Sequence, residues 1–230
     1  MKIGIIGAME IEVAEIKELM ESITSEQISG TIYYTGKIYG KDVVVAKCGV
    51  GKVNAAVCTQ AMIMKYAPDV IINIGVAGSL SSKLDIGDLV ISDHVVHHDF
   101  DISALNEPLG YIQEIDKIHI PSSKLVAEKI YSSANELENV NVYVGTIASG
   151  DQFVCNQDRK NAIVNNFNAM CTEMEGAAIG HVCYLNNVDF CIIRAISDKA
   201  DGSAHMDFPT FARIAAKNST ELIRNYIKNI

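Results

Sequence analysis

Pro68-Asp-Val-Ile-Ile-Asn-Ile-Gly-Val-Ala-Gly78 decides the fold. From Val70 to Val76 the run is almost unbroken in β-branched residues, with none of the polar alternation of a strand that faces water on one side. Such a strand is covered on both faces, and it empties into a glycine-rich junction. Working outward, runs of the same length and character recur at Lys2–Gly7, Asp42–Cys48, Leu89–Val96, Val142–Ala148, Met170–Met174 and Phe190–Ile196. Helical stretches fall between them at Glu10–Ser22, Lys52–Tyr66, Ser123–Ala134, Gln157–Asn166, Gly176–Leu185 and Phe208–Ile227. This alternation predicts an α/β protein with a mixed, largely parallel sheet and helices on both sides. Tyr33–Tyr39 and Val43–Cys48, joined by Tyr39-Gly-Lys-Asp42, read instead as a β-hairpin. With four prolines and no low-complexity tract in 230 residues, the chain reads as one domain, 1–230.

Composition narrows the class of function. Lys+Arg 19 against Asp+Glu 28 gives a net charge of −9, which argues against a broad nucleic-acid or anionic-membrane surface. No apolar run approaches the ~20 residues that span a bilayer. Acidic residues come too early after the start, MKIGIIGAMEIE, for a secretory leader. The six cysteines stand singly, with no C-x-x-C pair, and three lie in apolar runs. They read as reduced structural thiols in a cytoplasmic protein.

In open sheets of this kind ligands bind outside the carboxyl ends of the strands. Five junctions then matter: Gly7-Ala-Met-Glu-Ile-Glu12, Cys48-Gly-Val-Gly-Lys52, Asn73-Ile-Gly-Val-Ala-Gly78, Glu173-Met-Glu-Gly176 and Arg194-Ala-Ile-Ser-Asp198. Two nucleotide motifs fail there. Gly4-x-x-Gly7 is not G-x-G-x-x-G, and around Gly51-Lys52 a P-loop would need glycine at Ala46 and Ser or Thr at Val53. The Asp93-His94-x-x-His97-His98-Asp99 stretch invites a metal reading, but on a strand His94 and His98 face one side and His97 the other, with no third spaced ligand. Solvated or hydrogen-bonded histidines are the expectation.

The first helix carries more. At ~100° per residue, Val13, Ile16 and Met20 fall within roughly 40° of Met9, while Glu10, Glu15, Glu18 and Glu21 lie opposite. Glu12 falls inside the apolar arc. It is either a helix-start acid favoured by the dipole or a carboxylate aimed into a pocket. Asp198, directly after a strand, is either a cap or a catalytic carboxyl. Arg194 within that strand demands a carboxylate partner, for which Glu173 and Glu175 are candidates, pointing the same way if the strand runs to 175.

These junctions together resemble those of the bacterial 5′-methylthioadenosine/S-adenosylhomocysteine nucleosidases, hydrolases of the nucleoside phosphorylase superfamily. The matching residues are Lys2 through Glu10 with Glu12, Gly49-Val-Gly-Lys-Val-Asn54, Pro68-Asp-Val-Ile-Ile-Asn73, Ser149-Gly-Asp-Gln-Phe153, Glu173-Met-Glu-Gly-Ala177 and Val188 through Asp198. The resemblance implies a three-layer αβα sandwich, a homodimer, and cleavage of adenine thionucleosides without metal or cofactor. It implies that Asp198 protonates adenine N7 with Ser197 positioning it, and that Glu12 orients and deprotonates water. Glu175 would bind the ribose hydroxyls beside Met174, with Arg194 steadying the acidic cluster. Phe153 would stack on adenine, the Val154 backbone would read its Watson–Crick edge, and Met9, Val50 and Phe208 would line the sugar and alkylthio region. Two positions depart from the pattern. Val76 stands where the family commonly has a small hydroxyl residue, and Asp101 through Pro108 lacks an aromatic, leaving Ile102 and Leu105 as caps for the partner's site.

The rival readings are a phosphate-dependent nucleoside phosphorylase, a hydrolase for another purine nucleoside such as futalosine, and a non-enzymatic adenine-nucleoside binding module. A phosphorylase needs cationic or hydroxyl donors at the strand ends, where Gly7 through Glu12 offers carboxylates. A binding module would have a broken carboxylate set, yet Glu12, Glu175 and Asp198 are all present.

Overall fold

The computed structural model describes residues 1–137 and 139–230, with side chains at all of these except 205 and 206. Its strands are β1 (Lys2–Gly7), β2 (Glu21–Ile28), β3 (Thr31–Ile38), β4 (Lys41–Lys47), β5 (Val70–Ser79), β6 (Leu89–His97), β7 (Ile120–Pro121), β8 (Val142–Ser149), β9 (Cys171–Glu173) and β10 (Asp189–Asp198). Its α-helices are α1 (Glu10–Glu18), α2 (Lys52–Tyr66), α3 (Lys124–Ser133), α4 (Gln157–Phe167), α5 (Gly176–Leu185) and α6 (Ala204–Asn229). The ten strands form one sheet. β5 lies at its centre, parallel to β1 and to β10, and every one of its residues is buried.

Both faces of β5 are covered, as its unbroken apolar run requires. Val70, Ile72, Ile74 and Val76 pack on one face with residues of α1, α3 and α6. Ile71 and Ala77 pack on the other with residues of α2 and α5. The expected layering of helix, mixed sheet and helix is therefore present. The sheet also curls: β5 pairs with β10 and β9, β10 with β6, β6 with β8, and β8 with β9, so five strands close on one another. This closure brings the carboxyl ends of β5, β8, β9 and β10 around one space.

The hairpin forms as expected, β3 antiparallel to β4. Most elements shift by one to three residues at an end from the sequence reading, and a few differ more. The first helix stops at Glu18 instead of Ser22, and Glu21–Ile28 is an edge strand paired to β3. That strand has no buried face, with seven of its eight residues exposed, so no apolar periodicity marks it. β7, two residues against β6, was likewise unmarked. The last helix begins at Ala204, enclosing Pro209 in its early turns.

Candidate active site

β1 ends at Gly7, and α1 begins three residues later, so Glu12 lies in the first turn of the helix. Its carboxylate is 4% exposed and accepts three backbone N–H groups: from Ala8 at 2.7 Å and Met9 at 2.8 Å on Oε2, and from Val76 at 3.1 Å on Oε1. Both readings of Glu12 hold: it caps its own helix, and it also reaches across to β5. Burial pushes its pKa up, against the pull of Arg194 and the three amides. The departure at Val76 leaves this contact with Glu12 in place, because it comes from the main chain. Gly75 makes the approach possible, since a Cβ there would stand 2.6 Å from Glu12 Oε1 and 2.7 Å from Arg194 Nη1.

β10 delivers Asp198 through an irregularity. Ile196 pairs with Ala77 and Asp198 with Gly78, so Ser197 is the extra residue of a bulge. Side chains alternate along a strand, and one inserted residue turns the next one over. Asp198 thereby shares the face of Gly78 and Val76 instead of the face of Ile196. Its Oδ2 accepts from Ser197 Oγ at 2.9 Å and its Oδ1 from the Ala200 amide at 2.8 Å. Burial raises its pKa, these two hydrogen bonds oppose the rise, and Asp207 and Asp201 add to it.

Arg194, 1% exposed, finds its partner in Glu173: Nε donates to Glu173 Oε2 at 3.1 Å, Nη2 donates to the same oxygen, and Nη2 also donates to Asn73 Oδ1 at 2.5 Å. Glu173 accepts further from the amides of Glu175 at 3.0 Å and Gly176 at 2.7 Å, and from Ser149 Oγ. Burial alone would raise the Glu173 pKa, but Arg194 and these donors bring it below its ordinary value. The extension of this strand to 175 is not what forms. β9 ends at Glu173, and the chain turns at Glu175, the residue preceding α5. Glu175 is left 3.7 Å from Arg194 Nη2, with its Oε1 accepting from the Gly51 amide at 2.8 Å. Burial and the neighbouring Glu173 push its pKa to about 7. Both glutamates border one open space, but Glu173 makes the close ion pair with the arginine and Glu175 stands farther from it.

That space is a cavity of about 290 Å³. Met9, Glu12, Val50, Phe153, Val154, Met174, Glu175, Ser197, Asp198 and Phe208 all border it, as does Val76. Arg194 does not; it lies behind Glu173. Phe153 meets Phe208 edge-to-face with ring centroids 5.8 Å apart. Ile102 and Leu105 are absent from the lining of their own chain's cavity, and Leu105 is 66% exposed. Sequence reasoning missed Thr172 as a lining residue. Its hydroxyl is buried without a partner among the described residues, and one threonine inside an apolar strand gives no pattern to read. It also missed Asn73, whose signal was a lone amide in the middle of the Val70–Val76 run.

The histidine stretch needs a correction. His94 is solvated beside Asp93, at 3.3 Å, as expected, whereas three ring nitrogens of the buried pair lack the expected hydrogen bonds among the described residues. His97 meets His181 edge-on at 5.7 Å, and neither His97 Nε2 nor either nitrogen of His98 has a partner among the described residues. Burial holds both imidazoles neutral by lowering their pKa values.

A curled, mixed sheet with four acidic side chains converging at its strand ends places the molecule in a recognisable class. The chain belongs to the phosphorylase superfamily, whose sequence profile it matches over residues 2–228. Within that class it is similar to nucleosidases and to a futalosine hydrolase. The 5′-methylthioadenosine/S-adenosylhomocysteine nucleosidase of Shewanella halifaxensis is 42% identical over 100% of both chains. The crystal structure of the Neisseria meningitidis nucleosidase of the same name, in complex with methylthio-immucillin-A, superposes with a TM-score of 0.96 at 36% identity, over 100% of this chain and 99% of that one. Native futalosine hydrolase of Helicobacter pylori superposes with a TM-score of 0.95 at 36% identity, over 100% and 98%.

Proposed function

We propose that this chain is an N-glycosidase that hydrolyses 5′-methylthioadenosine and S-adenosylhomocysteine, releasing adenine with methylthioribose or ribosylhomocysteine. One observation carries the reading. Glu12, Glu175 and Asp198, with Glu173 beside them, border a single, otherwise largely apolar cavity, and no Lys, Arg or His is among the described residues lining it. As the C1′–N9 bond breaks, the purine gains negative charge and the ribose becomes cationic. Asp198, whose proton burial helps to retain, protonates the leaving base at N7. Ser197 holds that carboxyl in place. Glu12, fixed by three amides, accepts the proton of the water that attacks C1′. Glu175 accepts from the ribose hydroxyls, and Arg194 acts on the site only through Glu173. Phe153 stacks on the base, the Val154 main chain meets its polar edge, and Met9, Val50, Met174 and Phe208 enclose the sugar and its sulfur substituent.

A phosphorylase site would have to hold a phosphate anion in a cavity lined by acidic side chains, with no cationic side chain among the described lining residues. The test is release of free adenine from methylthioadenosine by the purified protein in phosphate-free buffer. Strict dependence on added phosphate would reverse the assignment. The likeness to futalosine hydrolase adds futalosine, beside 5′-deoxyadenosine, to the substrate panel.

The reading extends to the setting. Five of the six cysteines are buried and all six are free, which suits a reducing cytoplasm; the proposed substrates suit a role in methionine salvage. Val53, Val57 and Met64 lie exposed along α2, with exposed Val50 just before it, and such an apolar stripe supports a homodimer in which Ile102 and Leu105 approach the partner's site.

A further inference from the structure

Three charged residues of the strand-end motifs, Lys52, Asp99 and Asp151, lie outside the cavity lining and yet are bonded to one another in a closed ring. Lys52 Nζ donates to Asp99 Oδ1 at 2.5 Å. Asp99 Oδ2 accepts the amide of Asp151 at 2.9 Å. Asp151 Oδ1 accepts the amide of Lys52 at 2.8 Å. The ion pair is mostly covered, its side chains 21% and 14% exposed, so solvent screens it only in part. Burial would raise the Asp99 pKa, but Lys52 and the Asp151 amide outweigh it and lower it.

The ring ties together the segments that follow β4, β6 and β8. Each of the two outer segments carries a group of the cavity. One residue before Lys52, the Gly51 amide donates to Glu175, the proposed ribose ligand. Two residues after Asp151 stands Phe153, the proposed base platform. The start of α2 has no side-chain cap of its own; Gly51, at φ +99°, precedes it. Its first amides are satisfied instead by Glu175 and Asp151, from elsewhere in the chain. Glycine suits position 51 by its φ, which L side chains rarely adopt, and a Cβ there would also crowd Asp151 Oδ1 at 3.1 Å.

We propose that Lys52, Asp99 and Asp151 act as one positioning unit, which sets the Gly51 amide against Glu175 and the Phe153 ring against the base, so that the ribose and base subsites are held in register. The three are positioning residues and touch no reacting atom. The proposal rests on the nucleosidase reading. It differs from a merely structural role because it predicts effects on substrate binding and on the titration of Glu175 in a protein that is still folded.

The test compares Asp151→Ala, Asp151→Asn and Asp99→Asn with the wild type, on methylthioadenosine across pH. Asp151→Ala is expected to raise KM about tenfold while kcat falls less than about threefold, the signature of lost ground-state binding. Losing a donor to Glu175 disfavours its ionised form, so the acid limb of the kcat/KM profile moves to higher pH. Asp151→Asn keeps an Oδ1 acceptor for the Lys52 amide and restores most of the KM. Should Asp151→Ala fail to fold, Asp99→Asn, which weakens the Lys52 pairing and leaves an acceptor for the Asp151 amide, is expected to raise KM about threefold with the same shift of the limb. Unchanged KM and an unmoved limb in the folded variants, or a KM defect in Asp151→Ala that asparagine does not repair, would overturn the positioning unit while leaving the nucleosidase reading intact. A wild type that releases no adenine from any member of the substrate panel would overturn both.

Discussion

An aspartate of ordinary pKa, ~3.9, holds a proton only about one part in a thousand at pH 7, which costs roughly 4 kcal/mol if protonation must precede bond breaking. Asp198 has that cost reduced by burial, although Ser197 and the Ala200 amide return part of it. Asp198→Asn keeps the size of the group and loses the proton, so kcat for methylthioadenosine is expected to fall at least ~10²-fold, with adenine still bound; near-normal turnover would refute the assignment. Glu175 makes a different prediction. Its pKa rises from an ordinary 4.5 to about 7 in the fold, so between those values the folded state holds a proton that the unfolded state has lost. Stability from this group therefore falls as pH climbs through that window and stays reduced above it. Glu175→Gln removes the charge and keeps an acceptor for Gly51. At pH 8 its unfolding midpoint should lie several degrees above wild type, the full shift corresponding to about 3 kcal/mol, and the gap should close towards pH 5. A gap independent of pH, measured by thermal melts in matched buffers, would refute the shift. Glu12 was legible from the helix wheel because a carboxylate inside an apolar arc is costly unless it is partnered. The partner of Arg194 was legible only as a choice between two residues. Deciding between them took the turn of the chain at Glu175, a backbone event that no side-chain pattern announces.

Buried strands wrote themselves plainly into the chain, and exposed ones did not. β1, α2 and α5 lie where their apolar patterns end, because each is bounded by a glycine or a polar turn and buried against two neighbours. β2 was invisible for the opposite reason: main-chain bonds to β3 hold it, and its side chains, all but one exposed, carry no period. The aim of Asp198 was equally hidden, because a bulge of one residue reverses a face without changing composition. At Gly75 the element itself makes a prediction. β5 lets Glu12 and Arg194 come against its main chain only because no Cβ intervenes. Gly75→Ala should push both groups aside, with an overpacking cost of about 1–3 kcal/mol and a loss of kcat larger than the loss of adenine affinity. Wild-type kcat in that variant would mean that the seat of Glu12 tolerates displacement.

At the scale of the whole molecule, the cavity is assembled from the far corners of the chain: Glu12 after β1, Val76 in β5, Glu175 before α5, Asp198 at the end of β10. No contiguous segment contains the site, so a ligand that fills it bridges most of the sheet. If the chain folds as one domain, 1–230, calorimetry of the wild type should give one transition whose calorimetric and van't Hoff enthalpies agree. Adenine at about 100 times its Kd should then stabilise the entire molecule by ~2.7 kcal/mol, or about 5–10 °C at this length, with no part left melting at the old midpoint. Methylthioadenosine held by Asp198→Asn should act in the same direction, because that variant keeps the cavity and loses the proton. A second transition that ignores the ligand would refute the single domain and divide the chain into separate folding units, against the expectation from the pairing of β5 with β1, β9 and β10 in one sheet.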